Sequence, residues 1–195
     1  MKQDSIALYS NVHLALVHFP VYNKTGEVVA SSVTTLDVHD ISRVCRTFGV
    51  GSFFVVTPLK TQQELVERLI AHWMKGYGAR YNATRKEALL NTRVIKSLEA
   101  AVDAVTEQCG KKPRVVVTGA KQVPNSITFA DLKNQLGEED PMLLVFGTGW
   151  GLEKNLILNA DYVLEPIEGN SGFNHLPVRG AIAIILDRLL GRSGS

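Results

Sequence analysis

Four short apolar runs limit what this chain can fold into: Val12 to Phe19, Ser52 to Pro58, Pro113 to Gly119 and Met142 to Phe146. Each is nearly continuous in hydrophobicity rather than alternating, and patterns of helical spacing separate them. Strands buried on both faces read this way, and they belong to a parallel sheet covered by helices on both sides. The 195 residues fit one such domain, with enough apolar sequence to build a core without metal or disulfide staples.

The intervening segments supply helix signals. A helix is expected to begin near Asp37, whose side chain can cap it. Ile41, Val44, Cys45 and Phe48 then share one face, and Gly49 or Gly51 ends it. Thr61-Gln62-Gln63-Glu64 has a capping-box pattern for a second helix running to about Lys75. Gly76-Tyr77-Gly78 breaks it, a shorter helix covers Arg85 to Asn91, and Thr92 to Ile95 forms a short strand. Ser97 caps the helix Leu98 to Cys109, which Gly110 stops, and Thr128 opens a helix to Leu136. The last helix, Gly180 to Leu190, is apolar almost all round, so it is expected in the core or in a subunit interface.

Cys45 and Cys109 form no CxxC pair for zinc or redox chemistry, which fits a reducing cytoplasm. The first apolar run is short and contains His13 and His18, so it reads as a strand rather than an export signal or a membrane span. A net charge of +2 hides an uneven distribution. Arg68, Lys75, Arg80, Arg85 and Lys86 occur without an intervening acid, interleaved with Trp73, Tyr77 and Tyr81, as in a face that binds a polyanion. A solvated helix end with inward-packed aromatics gives the same pattern.

The segment Pro141 to Gly180 reads as strand, glycine loop, short helix, strand and second glycine loop, and both loops follow strands. Ligands of open α/β sheets bind outside the carboxyl ends of the strands, so two such loops imply one pocket. Gly147-Thr148-Gly149-Trp150-Gly151 has GxGxG rather than GxGxxG spacing, a weak dinucleotide signal. Asp37 and Asp40 in Asp37-Val38-His39-Asp40 are explained by the start of a helix, and no metal site is expected.

Taken together, three segments resemble the SPOUT class of RNA methyltransferases. His39 to Gly49 resembles the first motif of that class, Leu143 to Leu152 the second, and Tyr162 to Arg179 with the following apolar helix the third. The likeness runs from Val12 to Leu190 and is narrower to a small bacterial subfamily related to the enzymes that methylate guanine in tRNA. It implies an α/β fold of mostly parallel sheet with a C-terminal trefoil knot and transfer of a methyl group from S-adenosylmethionine to a base or ribose of tRNA or rRNA, while the apolar last helix makes a homodimer the expectation.

The resemblance places the cofactor against Thr118, Gly119, Phe146, Gly147, Thr148, Gly149, Gly151, Pro166, Ile167, Gly169, His175, Leu176, Pro177 and Arg179. Arg46 is the retained motif arginine, for orienting RNA or stabilising charge, and Asp40 and Glu168 are candidate bases. Asn23, Lys24, Lys75, Arg80 and Arg85 are candidate RNA contacts. Ribose methylation is associated with an asparagine where this chain has Asp40, an acid where it has Thr148 or Gly149, and an S-x-N-x-S pattern where it has His175 to Arg179; these departures bring base methylation forward. Two other readings remain open at this point: an RNA-binding or regulatory protein that keeps the fold without catalysis, and a nicotinamide-dependent enzyme using the glycine loop.

Overall fold

The computed structural model describes residues 11–75, 81–136 and 140–192. Six strands form one sheet in the order β5-β4-β1-β7-β6-β8. They are β1 (Val12–Val17), β4 (Phe53–Val56), β5 (Thr92–Ile95), β6 (Arg114–Val117), β7 (Met142–Gly147) and β8 (Tyr162–Val163), and all neighbours pair in parallel. The chain moves outward from β1 through β4 to β5, then returns to β6 and β7 on the other side. This reversal between β1 and β7 is where an open α/β sheet leaves a crevice at its carboxyl edge.

Helices cover both faces. On one side α1 (Thr35–Phe48), α2 (Lys60–Met74), α3 (Ala83–Leu89), α5 (Phe129–Gln135) and α7 (Val178–Leu190) pack over Leu14, Leu16, Phe53, Leu144 and Phe146. On the other, α4 (Leu98–Cys109) and α6 (Lys154–Leu158) cover Ala15, Val17, Phe54, Leu143 and Val145. Alternate residues of the same strand thus enter opposite cores, which is why the runs carry no polar alternation.

Helix boundaries follow local chemistry, with four corrections to expectation. Thr34, not Asp37, caps α1: its extended backbone lets its side chain accept from the Asp37 N–H, while its hydroxyl donates to the Asp37 carboxylate at 2.6 Å. A cap of this kind contributes about 1 kcal/mol. The α2 helix starts at Lys60 after Leu59 with no side-chain cap, because Gln63 instead turns its amide to the Thr57 carbonyl at 2.7 Å. Left-handed Gly49 and Gly110 close α1 and α4, and Ser97 and Thr128 cap α4 and α5, as expected. The short helix lies at Ala83–Leu89 rather than Arg85 to Asn91, and the last helix starts two residues early, at Val178. The glycine break at Gly76 to Gly78 falls outside the described residues.

The expected all-round apolar helix α7 is mostly accommodated within the protomer. Ile182, Ile185, Leu186, Leu189 and Leu190 are buried, Ala181, Ala183 and Ile184 are half-buried, and Asp187 and Arg188 face water. Tyr22 and Val28 belong to a two-stranded antiparallel hairpin, β2 (Val21–Tyr22) and β3 (Val28–Val29), seated beside the loop after β7.

Candidate active site

Three loops meet at the carboxyl edge of β6, β7 and β8. The first begins at Thr118, whose N–H and hydroxyl both donate to the Val145 carbonyl at 3.0 and 3.1 Å. The second, after β7, is held by the hairpin: Trp150 N–H donates to the Tyr22 carbonyl and Tyr22 N–H to the Gly151 carbonyl, both at 2.9 Å. The third follows β8 and is tied to the first, since Glu165 N–H donates to Ile127 O at 3.0 Å and the Asn174 amide to Ala120 O at 3.1 Å. It also lies over the second, with the Trp150 and His175 rings edge to face at 6.1 Å. The two glycine loops therefore lie against one another.

Backbone polarity distinguishes the third loop. From Ile167 to Leu176 the only N–H with a partner among the described residues is that of Phe173, which meets Ser171 Oγ. In the second loop the N–H of Gly149 is likewise without one. Backbone donors need partners, and these face the open end of the sheet, where a ligand or water must supply them. Around them stand exposed Trp150, Phe173 and Leu176, an unusual concentration of large apolar side chains for a loop cluster. Gly119 and Gly169 have nothing within 4 Å of where a side chain would begin, so the space beside them is empty. Free backbone donors, open space and apolar rings fit the edge of an adenine and its ribose.

The structure corrects several expected contacts. Phe146 is 2% exposed and packs in the core, so it forms no pocket wall. Pro166 is also buried. The Thr148 hydroxyl is committed to the Val17 carbonyl and to Ser31 Oγ. Gly147 and Gly149 are glycines because of the protein's own packing. A β-carbon at Gly147 would lie 2.9 Å from Leu152, and one at Gly149, at φ +59, would lie 2.9 Å from the Tyr22 carbonyl oxygen. Glu168 is exposed, not buried within the loop.

The α1 helix starts at the same edge and runs back down the sheet, and just beyond its end the Gly51 N–H donates to the Val12 carbonyl at the amino end of β1. Asp40, Arg43, Val44 and Thr47 form its outward stripe, at spacings that place them on one face. Arg179, entering α7, reaches back to this helix, with Nη1 3.4 Å from Asp37 Oδ1 and Nε 3.6 Å from Asp40 Oδ2. Its guanidinium is thereby turned to α1. A depression of about 430 Å3 lies there, lined by Asp40, Arg43, Val44, Thr47, Phe48, Arg179 and Gly180. Arg46 points off the other side of the stripe and is gripped by Glu87 of α3, with Nε 3.1 Å from Oε1. Arg43, which sequence spacing did not single out, is exposed and has no ion-pair partner among the described residues. The two arginines differ in their place on α1 and in the pairing of Arg46 with Glu87.

Two buried histidines flank the central strand. His18, at the carboxyl end of β1, is fully buried; its Nδ1 lies 3.0 Å from Ser31 Oγ, which meets Thr148, and its Nε2 has no hydrogen-bond partner. Burial lowers its pKa to about 4, against a raising influence of Asp37. His13, near the start of the same strand, is lowered to about 4 by burial and then by Arg93, with its Nε2 3.4 Å from Cys109 Sγ. Each ring thus has a partner at one nitrogen and none at the other among the described residues.

The expected RNA contacts divide. Asn23 is consumed by its own hairpin, accepting from the N–H groups of Thr25 and Glu27 at 2.9 Å and donating to Glu27 at 2.7 Å. Lys24 and Lys75 are exposed. Arg85 lies 4.5 Å over the Trp73 ring, and Arg80 falls outside the described residues.

Comparison with known proteins decides the family. Residues 11–191 match the model of a SAM-dependent RNA methyltransferase family. The chain belongs to that family. The methyltransferase is 37% identical to an uncharacterised protein of Aquifex aeolicus over 96% of this chain and 92% of that one. It is 45% identical to a tRNA (guanine-N(1)-)-methyltransferase of Nitratidesulfovibrio vulgaris over 93% of this chain, but spans only 42% of that protein. In fold it resembles the SpoU methyltransferase AviRb of Streptomyces viridochromogenes in complex with AdoMet, with TM-score 0.58 and 15% identity, covering 92% of this chain and 58% of that one. The family is one that depends on S-adenosylmethionine, and the fold is that of the SpoU methyltransferases. Among the described residues no helix is long and apolar enough to cross a membrane.

Proposed function

We propose that the methyltransferase modifies a base of a structured RNA, most directly a tRNA, at the edge where the three loops meet α1. The supporting observation is the third loop, with its run of unpartnered N–H groups beside exposed Trp150, Phe173 and Leu176. Backbone groups of Gly149 and residues 167–176, with Thr118, Gly119 and Gly151 at the rim, would hold the cofactor. When bound, S-adenosylmethionine supplies an electrophilic methyl group. What remains for the protein is to align the nucleophile, exclude water and accept the proton that leaves it. Asp40, half-exposed on α1 and steadied by Arg179, is the carboxylate placed to take that proton. Arg43 is the cation free to meet developing charge or an RNA phosphate, and Arg46 joins it by releasing Glu87.

A base rather than a ribose hydroxyl is favoured because His175 to Arg179 lacks the S-x-N-x-S pattern, and the named Nitratidesulfovibrio relative acts on guanine. The segment after β8 is read as threaded through the loop between β6 and α5, since Leu164 bridges Ile127 and the Glu165 carboxylate accepts from the Phe129 N–H at 2.7 Å. A homodimer forms with α7 in its interface, where Ala181 and Ile184 are half-buried, and the enzyme works in the cytoplasm with its RNA. Calorimetry with S-adenosylhomocysteine and with NAD tests the site: binding of the first alone is expected, and binding of NAD alone would overturn the reading.

A further inference from the structure

A second depression, of about 320 Å3, lies between α1 and α3 on the side of α1 away from the third loop. It is lined by Arg43, Arg46, Thr47, Asn82, Thr84, Arg85, Glu87 and Ala88. We propose that this depression is an anion site that takes one phosphodiester of the RNA strand, seated between the guanidinium groups of Arg43, Arg46 and Arg85. The proposal rests on the reading of the chain as an RNA methyltransferase and adds the place where the nucleic-acid backbone is gripped.

Charge comes first. Three arginines line a space that offers one carboxylate, Glu87, which among the described residues is engaged by Arg46. Three cations around one carboxylate leave a net positive space that a further anion would neutralise. Arginine is the side chain whose planar fork matches phosphate oxygens, and it keeps its charge at any working pH.

Each arginine is also held in a manner that leaves donors free. Arg85 is fixed by stacking on Trp73, which itself meets the His39 ring edge to face at 5.7 Å, yet its buried Nε has no hydrogen-bond partner. Arg46 uses Nε and one terminal nitrogen on a single oxygen of Glu87. Arg43 has no ion pair among the described residues. Asn82 completes the rim: its Oδ1 already accepts from Arg85 N–H at 3.0 Å and Thr84 Oγ1 at 2.8 Å, so its amide NH2 is what remains to donate.

Size and position agree with a nucleic-acid strand. The volume is near the lower bound for small-ligand pockets and suits a phosphate with its sugar. Arg43 and Thr47 line both depressions on α1. A strand gripped here continues along the α1 stripe towards Asp40 and Arg179, where the candidate base lies.

The test is fluorescence anisotropy of labelled total tRNA against salt concentration, using the intact protein. Loss of one phosphate contact lowers the slope of log K against log salt by about 1. Arg85→Gln and Arg43→Gln are each expected to weaken tRNA binding and flatten the slope by that amount. Glu87→Gln is expected to do the opposite, tightening binding and steepening the slope, because it removes a competing acid and frees Arg46. A misfolded variant cannot mimic that gain. Inorganic phosphate should compete with tRNA in the wild type and less well in Arg85→Gln. Unchanged slopes in both arginine variants, or weaker binding by Glu87→Gln, would overturn the site. Phosphate binding that depends on Arg85 without any change in the tRNA slope would overturn the RNA assignment and leave a small-anion site. Titration with S-adenosylhomocysteine runs alongside: a wild type that binds neither it nor tRNA would sink the methyltransferase reading itself, a result distinct from those above.

Discussion

His13 and His18 make stability depend on pH with a magnitude that follows from their burial. Each has its pKa lowered from 6.5 to about 4, so between those values the unfolded chain holds protons that the folded chain does not. Stability therefore falls as pH falls through this window, and the loss is complete only near pH 4. At pH 5 each histidine contributes a loss of about 2 kcal/mol relative to pH 7.5, and the pair about 4 kcal/mol, a large share of the ~5–15 kcal/mol of a typical domain. The assay is urea unfolding at the two pH values. The informative quantity is the difference between them, because His18→Gln has its own cost from the lost Ser31 contact, and that cost is common to both conditions. The variant should lose about 2 kcal/mol of the pH difference whatever its stability at neutral pH. Identical pH dependence in wild type and variant would refute the claim that His18 is buried uncharged.

Other outcomes follow from the site. Gly169→Val meets empty space, so it should leave the melting temperature within about a degree or two while weakening S-adenosylhomocysteine binding; unchanged affinity by calorimetry would remove the third loop from the cofactor site. Gly149→Val collides with the Tyr22 carbonyl in a left-handed conformation and should cost more than about 1 kcal/mol of stability as well as the cofactor. Ile184→Glu should convert the dimer to monomer in light scattering, whereas Ile185→Glu, at a buried position, should unfold the protomer. A wild type that scatters as a monomer at micromolar concentration would count against the dimer.

Much of the fold was legible because its signals are local. Parallel strands buried on both faces must be apolar throughout, and Ser97, Thr128, Gly49 and Gly110 carry cap chemistry within a few residues of the element they close. Where two neighbours could cap the same helix, as with Thr34 and Asp37, the backbone conformation of Thr34 decides, and sequence does not display it. The site was less legible because its roles depend on distant partners. Arg46, the arginine the motif singles out, is engaged by Glu87, which α3 brings from 41 residues away, whereas Arg43 on the outward stripe has no ion pair among the described residues. Phe146 and Gly147 are neighbours in the same motif, yet the strand's alternation sends Phe146 into the core. Thr148 looks like a cofactor contact until Ser31, far away in the chain, is found to occupy its hydroxyl. Asn23 resembles an RNA contact but serves its own turn.

Nucleoside mass spectrometry of total tRNA and rRNA incubated with the purified protein and methyl-deuterated S-adenosylmethionine tests the central claim most directly. The account predicts that the label appears in a single methylated base of tRNA, and that Asp40→Asn removes it without abolishing tRNA binding. Label confined to ribose 2′-hydroxyls would contradict base methylation. No label in any RNA, from a protein that binds both S-adenosylhomocysteine and tRNA, would contradict catalysis by this site.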